Sequence, residues 1–190
     1  MILRIAVDLD AVLGDLVTPI LEKINPEYGL NLQYSDIDEW EFCINDMNIS
    51  KEIAKYLKNP QFVLNLPVWP GALEAMIHLS KQHHVTIATS RPKETENESF
   101  RWCAERFSFH KFQNFNGNSK KSLEADILID DYVRNIDDFV RFDEKNRKSI
   151  LFQQPWNQKH DEIADLINKN KVICCKSWDE VLFEIENLNF

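Results

Sequence analysis

Residues 5–15 read Ile-Ala-Val-Asp-Leu-Asp-Ala-Val-Leu-Gly-Asp, and this stretch decides the fold and the chemistry. A short apolar strand ends at Asp8 and Asp10, so their carboxylates can converge where the chain leaves the strand. Paired carboxylates at a strand exit suit Mg²⁺, which prefers oxygen ligands, and they also supply a nucleophile and a proton-transfer group. On this motif alone, a pair of turn or helix-capping acids is an equally good interpretation.

Similar short apolar runs recur along the chain. They predict strands over 3–7, 85–88, 127–129, 149–152 and 172–174. Runs this short are typical of strands that are covered on both faces, as in a parallel sheet. Amphipathic patterns between them predict one helix that begins near residue 70 and four more over 94–107, 135–142, 160–168 and 177–188. The alternation predicts an α/β fold, a Rossmann-like doubly wound parallel sheet.

The clearest predicted helix begins at Pro70, a residue suited to a first helical turn. Its apolar residues recur with helical spacing and predict one buried face: Leu73, Met76, Ile77 and Leu79.

Residues 15–69 break the alternation. They carry helix signals, such as Ser50 as a candidate cap for a helix over 50–57, but no strand pattern between Val7 and Val85. We therefore predict a core domain of residues 1–14 and 70–190, with a small helical cap of residues 15–69 inserted after the first strand. The cap would lie over the carboxyl ends of the strands, where open α/β sheets bind ligands.

A second acidic pair, Asp130 and Asp131, follows the strand over 127–129. If this strand and the first one are central and parallel, four carboxylates meet at one edge of the sheet. Four such acids repel one another strongly, and a cation relieves the repulsion. The alternative is that Asp130 and Asp131 begin a loop and cap the next helix, which explains one acid better than two.

Hydroxyl and cationic side chains complete the candidate site. Thr89 and Ser90 follow the strand over 85–88, where hydroxyls and free backbone N–H groups can hold a phosphate oxygen. Lys120 lies ten residues before Asp130 and could balance phosphate charge, with Lys121 as the alternative.

Composition narrows the class of partner. The 190 residues include 31 acids against 22 Lys and Arg, a net charge of −9, and no basic run exceeds Lys120-Lys121. Long nucleic acids are therefore disfavoured, since they are held by many basic contacts to phosphate. No apolar run approaches the roughly 18 residues of a membrane span, and the N-terminal residues do not read as a secretory signal. We expect a cytoplasmic protein. The sequence leaves its oligomeric state open, and a homodimer is among the alternatives.

The cysteines and histidines are not separated by the intervals that are typical of metal ligands. We expect buried, reduced thiols at Cys43, Cys103, Cys174 and Cys175. We expect surface or helix-end positions for His78, His83, His84, His110 and His160.

Four motifs occur in order along the chain: Asp8-x-Asp10-x-Val12, Thr89-Ser90, Lys120 and Ile129-Asp130-Asp131. As a set they resemble the motifs of the haloacid dehalogenase-like phosphohydrolases. Further segments, over 65–72, 126–131, 151–157 and 177–179, resemble the 5'(3')-deoxyribonucleotidases of that superfamily. The resemblance implies a Mg²⁺-dependent phosphomonoesterase that acts on a small phosphorylated substrate, a nucleoside monophosphate.

The resemblance also implies roles for single residues. Asp8 would attack phosphorus and form an aspartyl-phosphate, and Asp10 would protonate the leaving oxygen and then activate water. Asp8, the backbone carbonyl of Asp10, and Asp131 would bind Mg²⁺, while Asp130 would orient Lys120 or a metal-bound water. The phosphoryl oxygens would be held by Thr89, Ser90 and Lys120.

Three aromatic residues of the cap are candidates to stack on a nucleobase: Trp40, Phe42 and Phe62. For each, packing in a small cap core is the alternative interpretation, and Trp40 and Phe42 are favoured because they lie among acids. A sugar phosphatase or phosphomutase, a receiver-like phosphate-accepting domain and a non-catalytic binding protein remain open from the residues alone.

Overall fold

A computed structural model describes residues 1–45, 47–159 and 161–188. The strands are β1 (Arg4–Val7), β2 (Cys43–Ile44), β3 (Met47–Asn48), β4 (His84–Thr89), β5 (Lys111–Asn114), β6 (Ile127–Asp130), β7 (Lys148–Phe152) and β8 (Val172–Cys175). Six of them form one sheet in the order β5-β4-β1-β6-β7-β8, and every neighbouring pair is parallel. The predicted Rossmann-like α/β fold is confirmed.

The strand order fixes where a ligand can bind. From β1 the chain first builds outward through β4 to β5, and then crosses back to build through β6, β7 and β8. The reversal leaves a crevice at the carboxyl ends of β1 and β6, which is where doubly wound sheets bind ligands.

The apolar runs form strands because both faces of the sheet are covered. Along β1, Ile5 and Val7 contribute to the larger hydrophobic cluster, while Ala6 contributes to a second one. Along β6, Ile127 and Ile129 join the first cluster and Leu128 joins the second. Alternate side chains therefore enter different cores, which explains why these strands lack a polar face.

Eight α-helices surround the sheet in the described residues. They are α1 (Val17–Tyr28), α2 (Ile49–Tyr56), α3 (Pro60–Leu64), α4 (Ala72–Gln82), α5 (Glu96–Ala104), α6 (Val133–Phe142), α7 (Ala164–Asn168) and α8 (Trp178–Asn187). The predicted helices over 94–107, 135–142 and 177–188 are confirmed, with somewhat different ends. The helix predicted over 160–168 is a 3-10 turn at Asp161–Ile163 followed by α7, and its expected start at His160 lies outside the described residues.

The predicted details of α4 are partly wrong. The helix begins at Ala72, after Gly71 in the left-handed region with φ of 80°, so Pro70 lies before the first turn. Leu73 and Ile77 are each 39% exposed. The buried face consists of Ala72, Ala75, Met76 and Leu79. Periodicity misplaced this face because alanines, which allow close helix packing, carry little apolar signal.

The segment between β1 and β4 contains α1, the β2–β3 hairpin, α2 and α3. The hairpin contradicts the expectation of no strand there, since two residues a strand are too few to show a period. Asn48 rather than Ser50 caps α2, because its side-chain oxygen accepts the backbone N–H of Lys51 at 3.0 Å. Among the described residues, no helix has the length and apolar character needed to cross a bilayer.

Strand β5 was not predicted from the sequence. It reads Lys-Phe-Gln-Asn and forms one edge of the sheet, where polar side chains are tolerated. Two thiols also depart from expectation: Cys43 is exposed and Cys174 is half-buried, while Cys103 and Cys175 are buried. Cys43 lies in the β2–β3 hairpin, where Met47 is the residue that enters the core and Cys43 stays on the surface. The four described histidines are exposed or half-buried, as expected.

Candidate active site

A cavity of about 240 Å³ opens at the carboxyl ends of β1 and β6. Its core side is polar and is lined by Asp8, Asp10, Ser90, Arg91, Lys120, Asp131, Tyr132 and Asn135. Its other side comes from the segment between β1 and β4, called the inserted segment below, and is lined by Leu16, Trp40, Ile53 and Leu57. The cavity therefore joins a charged floor to an apolar and aromatic wall.

A buried lysine bridges two of the predicted acids. The parallel pairing of Val7 with Ile129 brings Asp8 and Asp130 side by side, one residue further along each strand. Lys120 Nζ donates to Asp8 Oδ1 at 2.5 Å and to Asp130 Oδ2 at 2.7 Å. The side chain of Lys120 is 1% exposed, whereas Lys121 lies on the surface, so the structure brings Lys120 to the acids.

One lysine does not balance the negative charge of this cluster. Burial raises the pKa of Asp8 to about 7, with the charges of Asp130 and Asp10 adding to the shift and Lys120 opposing it. Burial, Asp130 and Asp8 likewise raise the pKa of Asp131 well above its usual range. Burial lowers the pKa of Lys120, but the charges of Asp130 and Asp8 outweigh it and raise that pKa. The lysine therefore stays protonated, and further positive charge would stabilise the ionised acids.

Three carboxylates in this cluster have the geometry of a cation site. Asp8, Asp130 and Asp131 are buried, and each offers an oxygen within 4.8 Å of the oxygens of the others. Octahedral ligands at about 2.1 Å from Mg²⁺ lie roughly 3 to 4 Å from one another, so this spacing fits that ion. The donor set consists of hard oxygens, and its excess negative charge favours a divalent cation.

Asp130 is already occupied by hydrogen-bond donors. Besides Lys120, its carboxylate accepts the backbone N–H of Tyr132 at 2.8 Å and the side-chain amide of Asn135 at 3.1 and 3.3 Å. Tyr132 directly precedes α6, so Asp130 partly plays the loop-starting role that was the alternative interpretation. Its geometry suits orientation of Lys120 better than metal ligation.

Asp10 is paired with a residue to which the sequence assigned no role. Arg91 Nε donates to both Asp10 oxygens at 3.0 and 3.1 Å, and Nη2 donates to Oδ1 at 2.6 Å. Arg91 is 1% exposed, and Nη1 is anchored on Ser99 Oγ at 3.2 Å. The sequence shows only an arginine two residues after a buried strand, and it is the burial of this side chain in the structure that requires an acid partner.

The two predicted hydroxyls lie in different environments. Thr89 is fully buried, and its Oγ1 accepts the backbone N–H of Arg91 at 3.3 Å. Ser90 lines the cavity and donates to the backbone carbonyl of Asn118 at 3.2 Å. Ser90 is therefore the hydroxyl that the structure brings to the cavity, while Thr89 braces the loop beneath it.

The three aromatic residues predicted to contact a base also differ in whether they line the cavity. Trp40 lines the cavity, and its ring centroid lies 6.4 Å from Tyr132 and 5.8 Å from Trp156. Phe42 and Phe62 are not among the described residues that line it, since Phe42 is half-buried against the core and Phe62 is 8% exposed within it. Of the residues predicted to contact a base, the structure brings Trp40 to the cavity, beside Tyr132 of the core, and does not bring Phe42 there.

Comparisons with known proteins find relatives over nearly the whole chain. The family model described as "5' nucleotidase, deoxy (Pyrimidine), cytosolic type C protein" matches residues 1–181. The 5'(3')-deoxyribonucleotidase of Clostridium acetobutylicum is 30% identical over 97% of this chain and 95% of its own length.

Among solved structures, a haloacid dehalogenase-like hydrolase from Streptococcus pneumoniae has a TM-score of 0.60 at 17% identity, covering 97% of this chain and 98% of its own. A haloacid dehalogenase-type hydrolase from Bacillus subtilis, solved with bound magnesium, has a TM-score of 0.59 at 13% identity, covering 98% and 99%. These two likenesses concern the fold.

Proposed function

The chain belongs to the cytosolic type C family of deoxy (pyrimidine) 5'-nucleotidases, which are phosphoric monoester hydrolases, and we propose that it hydrolyses deoxyribonucleoside monophosphates. The observation that carries the proposal is the position of Asp8. Its carboxylate lies on the floor of a cavity, against a protonated lysine, and faces an aromatic wall. One end of this cavity suits a phosphate and the other suits a base.

Asp8 is the proposed nucleophile. One carboxylate oxygen attacks phosphorus, the bond from phosphorus to the ribose oxygen breaks, and an aspartyl-phosphate forms. Asp10 gives a proton to the departing ribose oxygen. In the second step Asp10 takes a proton from a water that attacks the aspartyl-phosphate, and inorganic phosphate leaves as Asp8 is regenerated.

The remaining polar groups hold the phosphoryl oxygens. Lys120, which contacts Asp8, and the hydroxyl of Ser90 line the same cavity and would bind these oxygens as charge builds up on them. Arg91 fixes the carboxylate of Asp10 by donating to both of its oxygens. Thr89 supports the loop that carries Ser90 and Arg91.

Asp8, Asp131 and the backbone carbonyl of Asp10 are the proposed Mg²⁺ ligands. When bound, Mg²⁺ would neutralise the acids and polarise the phosphoryl group. Asp8 and Asp131 belong to the cluster of buried carboxylates whose oxygens lie within 4.8 Å of one another, and this supports the assignment. The magnesium held by the related fold from Bacillus subtilis points to the same ion.

The wall favours a nucleoside over a sugar phosphate. Leu16, Ile53 and Leu57 present aliphatic side chains to the cavity, and Trp40 and Tyr132 present rings. A sugar would leave its hydroxyls without partners on such a wall, whereas a nucleobase buries an apolar face there.

Release of inorganic phosphate from a substrate panel tests the proposal. The panel contains 2'-deoxyribonucleoside 5'- and 3'-monophosphates, the matching ribonucleotides, and hexose phosphates, each with Mg²⁺ and with a chelator. We expect the deoxyribonucleotides to have the highest kcat/KM and the chelator to abolish turnover. Preferential hydrolysis of hexose phosphates, or full turnover in the chelator, would contradict it.

A further inference from the structure

The segment after β7 holds Asp131 at two points. The indole Nε1 of Trp156 donates to Asp131 Oδ2 at 2.8 Å. The side-chain amide of the next residue, Asn157, donates to the Asp131 backbone carbonyl at 2.7 Å and to that of Phe152 at 2.9 Å. Both the carboxylate and the backbone of Asp131 are thereby tied to one short stretch of chain.

That stretch is itself fixed. Gln154 donates its backbone N–H to Asn157 Oδ1 at 2.9 Å, which closes a tight 3-10 turn over Pro155–Asn157. The side chain of Gln154 donates to the backbone carbonyl of Ala11 at 2.6 Å, in the loop that follows Asp8 and Asp10. The turn is therefore braced against the nucleophile loop.

The indole of Trp156 also contacts the inserted segment. Its ring centroid lies 5.6 Å from Tyr34 and 5.8 Å from Trp40, in tilted arrangements that aromatic pairs favour. Tyr34 donates its hydroxyl to Gln154 Oε1 at 2.8 Å, so the inserted segment and the turn are joined by a second contact. Trp156 consequently lies between a proposed metal ligand and the wall of the substrate cavity.

A neutral donor on Asp131 has a specific effect on metal binding. The indole N–H occupies Oδ2 and restricts rotation of the carboxylate, so that Oδ1 is the oxygen that would be offered to a cation. Because the indole carries no charge, it orients the carboxylate without neutralising it, whereas a lysine or arginine in that place would compete with the cation. Donors that orient metal ligands typically change metal affinity by 10- to 100-fold when they are removed.

We propose that Trp156 is a positioning residue for the divalent cation, acting through its hydrogen bond to Asp131. The inference rests on the proposed function in one respect, the assignment of Asp131 as a metal ligand. Trp156 lies in segment 151–157, which resembles the deoxyribonucleotidases, and its contact with Asp131 gives that segment a role.

The test measures metal binding by the full-length protein without substrate. Trp156→Phe keeps a ring in the aromatic cluster and removes the N–H donor. We expect its Kd for Mn²⁺, measured by electron paramagnetic resonance, and its Kd for Mg²⁺, measured by competition, to rise about 10-fold or more. Asp131→Asn identifies the site, since it should weaken the same binding at least as strongly.

Trp69→Phe is the matched control. Trp69 packs on Tyr34 in the same aromatic cluster, and among the hydrogen bonds of the described residues its indole makes none to Asp131. Its Kd should stay within about twofold of the wild-type value. Trp156→His, which keeps a ring N–H in less volume, is the second variant and should bind Mn²⁺ more tightly than Trp156→Phe.

The outcomes are separable from those of the substrate panel. Unchanged metal affinity in Trp156→Phe, equal losses in Trp69→Phe, or a wild-type protein that binds no divalent cation would each overturn the role of Trp156. A wild-type protein that binds Mn²⁺ with the expected dependence on Trp156 but hydrolyses no nucleotide would contradict the proposed function and leave this inference standing.

Discussion

The two sides of the cavity are built in different ways. The charged floor comes from the ends of adjacent parallel strands, where Asp8 and Asp130 follow paired residues of β1 and β6. The opposite wall joins Leu16, Trp40 and Leu57 of the inserted segment to Tyr132 of the core. The floor carries the charged groups of the proposed phosphate hydrolysis, whereas the wall carries the apolar surface that the proposed substrate's base would contact. Changes to the floor should therefore affect kcat, and changes to the wall should affect KM.

The largest effect is expected from Asp8→Asn. The amide is nearly isosteric with the carboxylate but cannot attack phosphorus, so kcat should fall by at least about 10³-fold, as for other lost nucleophiles. The fold should persist, because burial already disfavours the ionised form of Asp8. Phosphate release and the thermal unfolding midpoint measure the two effects, and residual activity within tenfold of the wild-type rate would refute the nucleophile assignment.

Lys120→Met removes the cation that the floor supplies itself. Asp8 and Asp130 would then remain buried without their shared partner, and without divalent metal the free energy of unfolding should fall by about 3 kcal/mol. Added Mg²⁺ should recover part of this loss, since it neutralises the same acids. Urea denaturation measures both values. Lys121→Met is the control, and its surface position predicts a change within about 0.5 kcal/mol.

The sequence predicted the floor far better than the wall. The acids lie directly after apolar strands, so strand identity and parallel pairing together bring Asp8, Asp130 and Asp131 to one place. Of the rings on the wall, the sequence predicted Trp40 and missed Tyr132. The two are far apart in the chain, and their meeting depends on how the segment between β1 and β4 folds. Phe42 was named because of its acidic neighbours in the sequence, and these do not indicate which side chains line the cavity; its ring is half-buried against the core.

Arg91 shows the same limit within the floor. A lone arginine after a strand does not show whether its side chain is buried, and its bidentate pairing with Asp10 depends on how the loops after β1 and β4 approach each other. A contact between two loops that are distant in the chain cannot be predicted from the sequence motif of either loop. The two hydroxyls show the same limit. The sequence predicted one role for both Thr89 and Ser90, but in the fold only Thr89 is buried.

Arg91→Met should affect proton transfer more than binding. Without Arg91, Asp10 loses its fixed orientation, and kcat/KM for a deoxyribonucleotide should fall about 10²-fold, at the lower end for general acid–base catalysis. p-Nitrophenyl phosphate releases a stable anion that needs no proton, so its kcat/KM should fall much less. Comparing both substrates in one preparation separates positioning from misfolding, because a merely structural role for Arg91 would lower both values equally.

The smallest effect is expected from Trp40→Ala, and it tests the division between floor and wall directly. Removing a ring that stacks on a base weakens binding by about 1 to 3 kcal/mol, so KM for a deoxyribonucleotide should rise roughly tenfold while kcat changes little. Deoxyribose 5-phosphate, which has no base, should show the same KM with both proteins. Phe42→Ala is the matched control, because its ring packs on the core beside the hairpin. A fall in kcat for Trp40→Ala without a change in KM would mean that the wall supports the floor and does not select the substrate, since base contacts and the reacting groups would then be one unit.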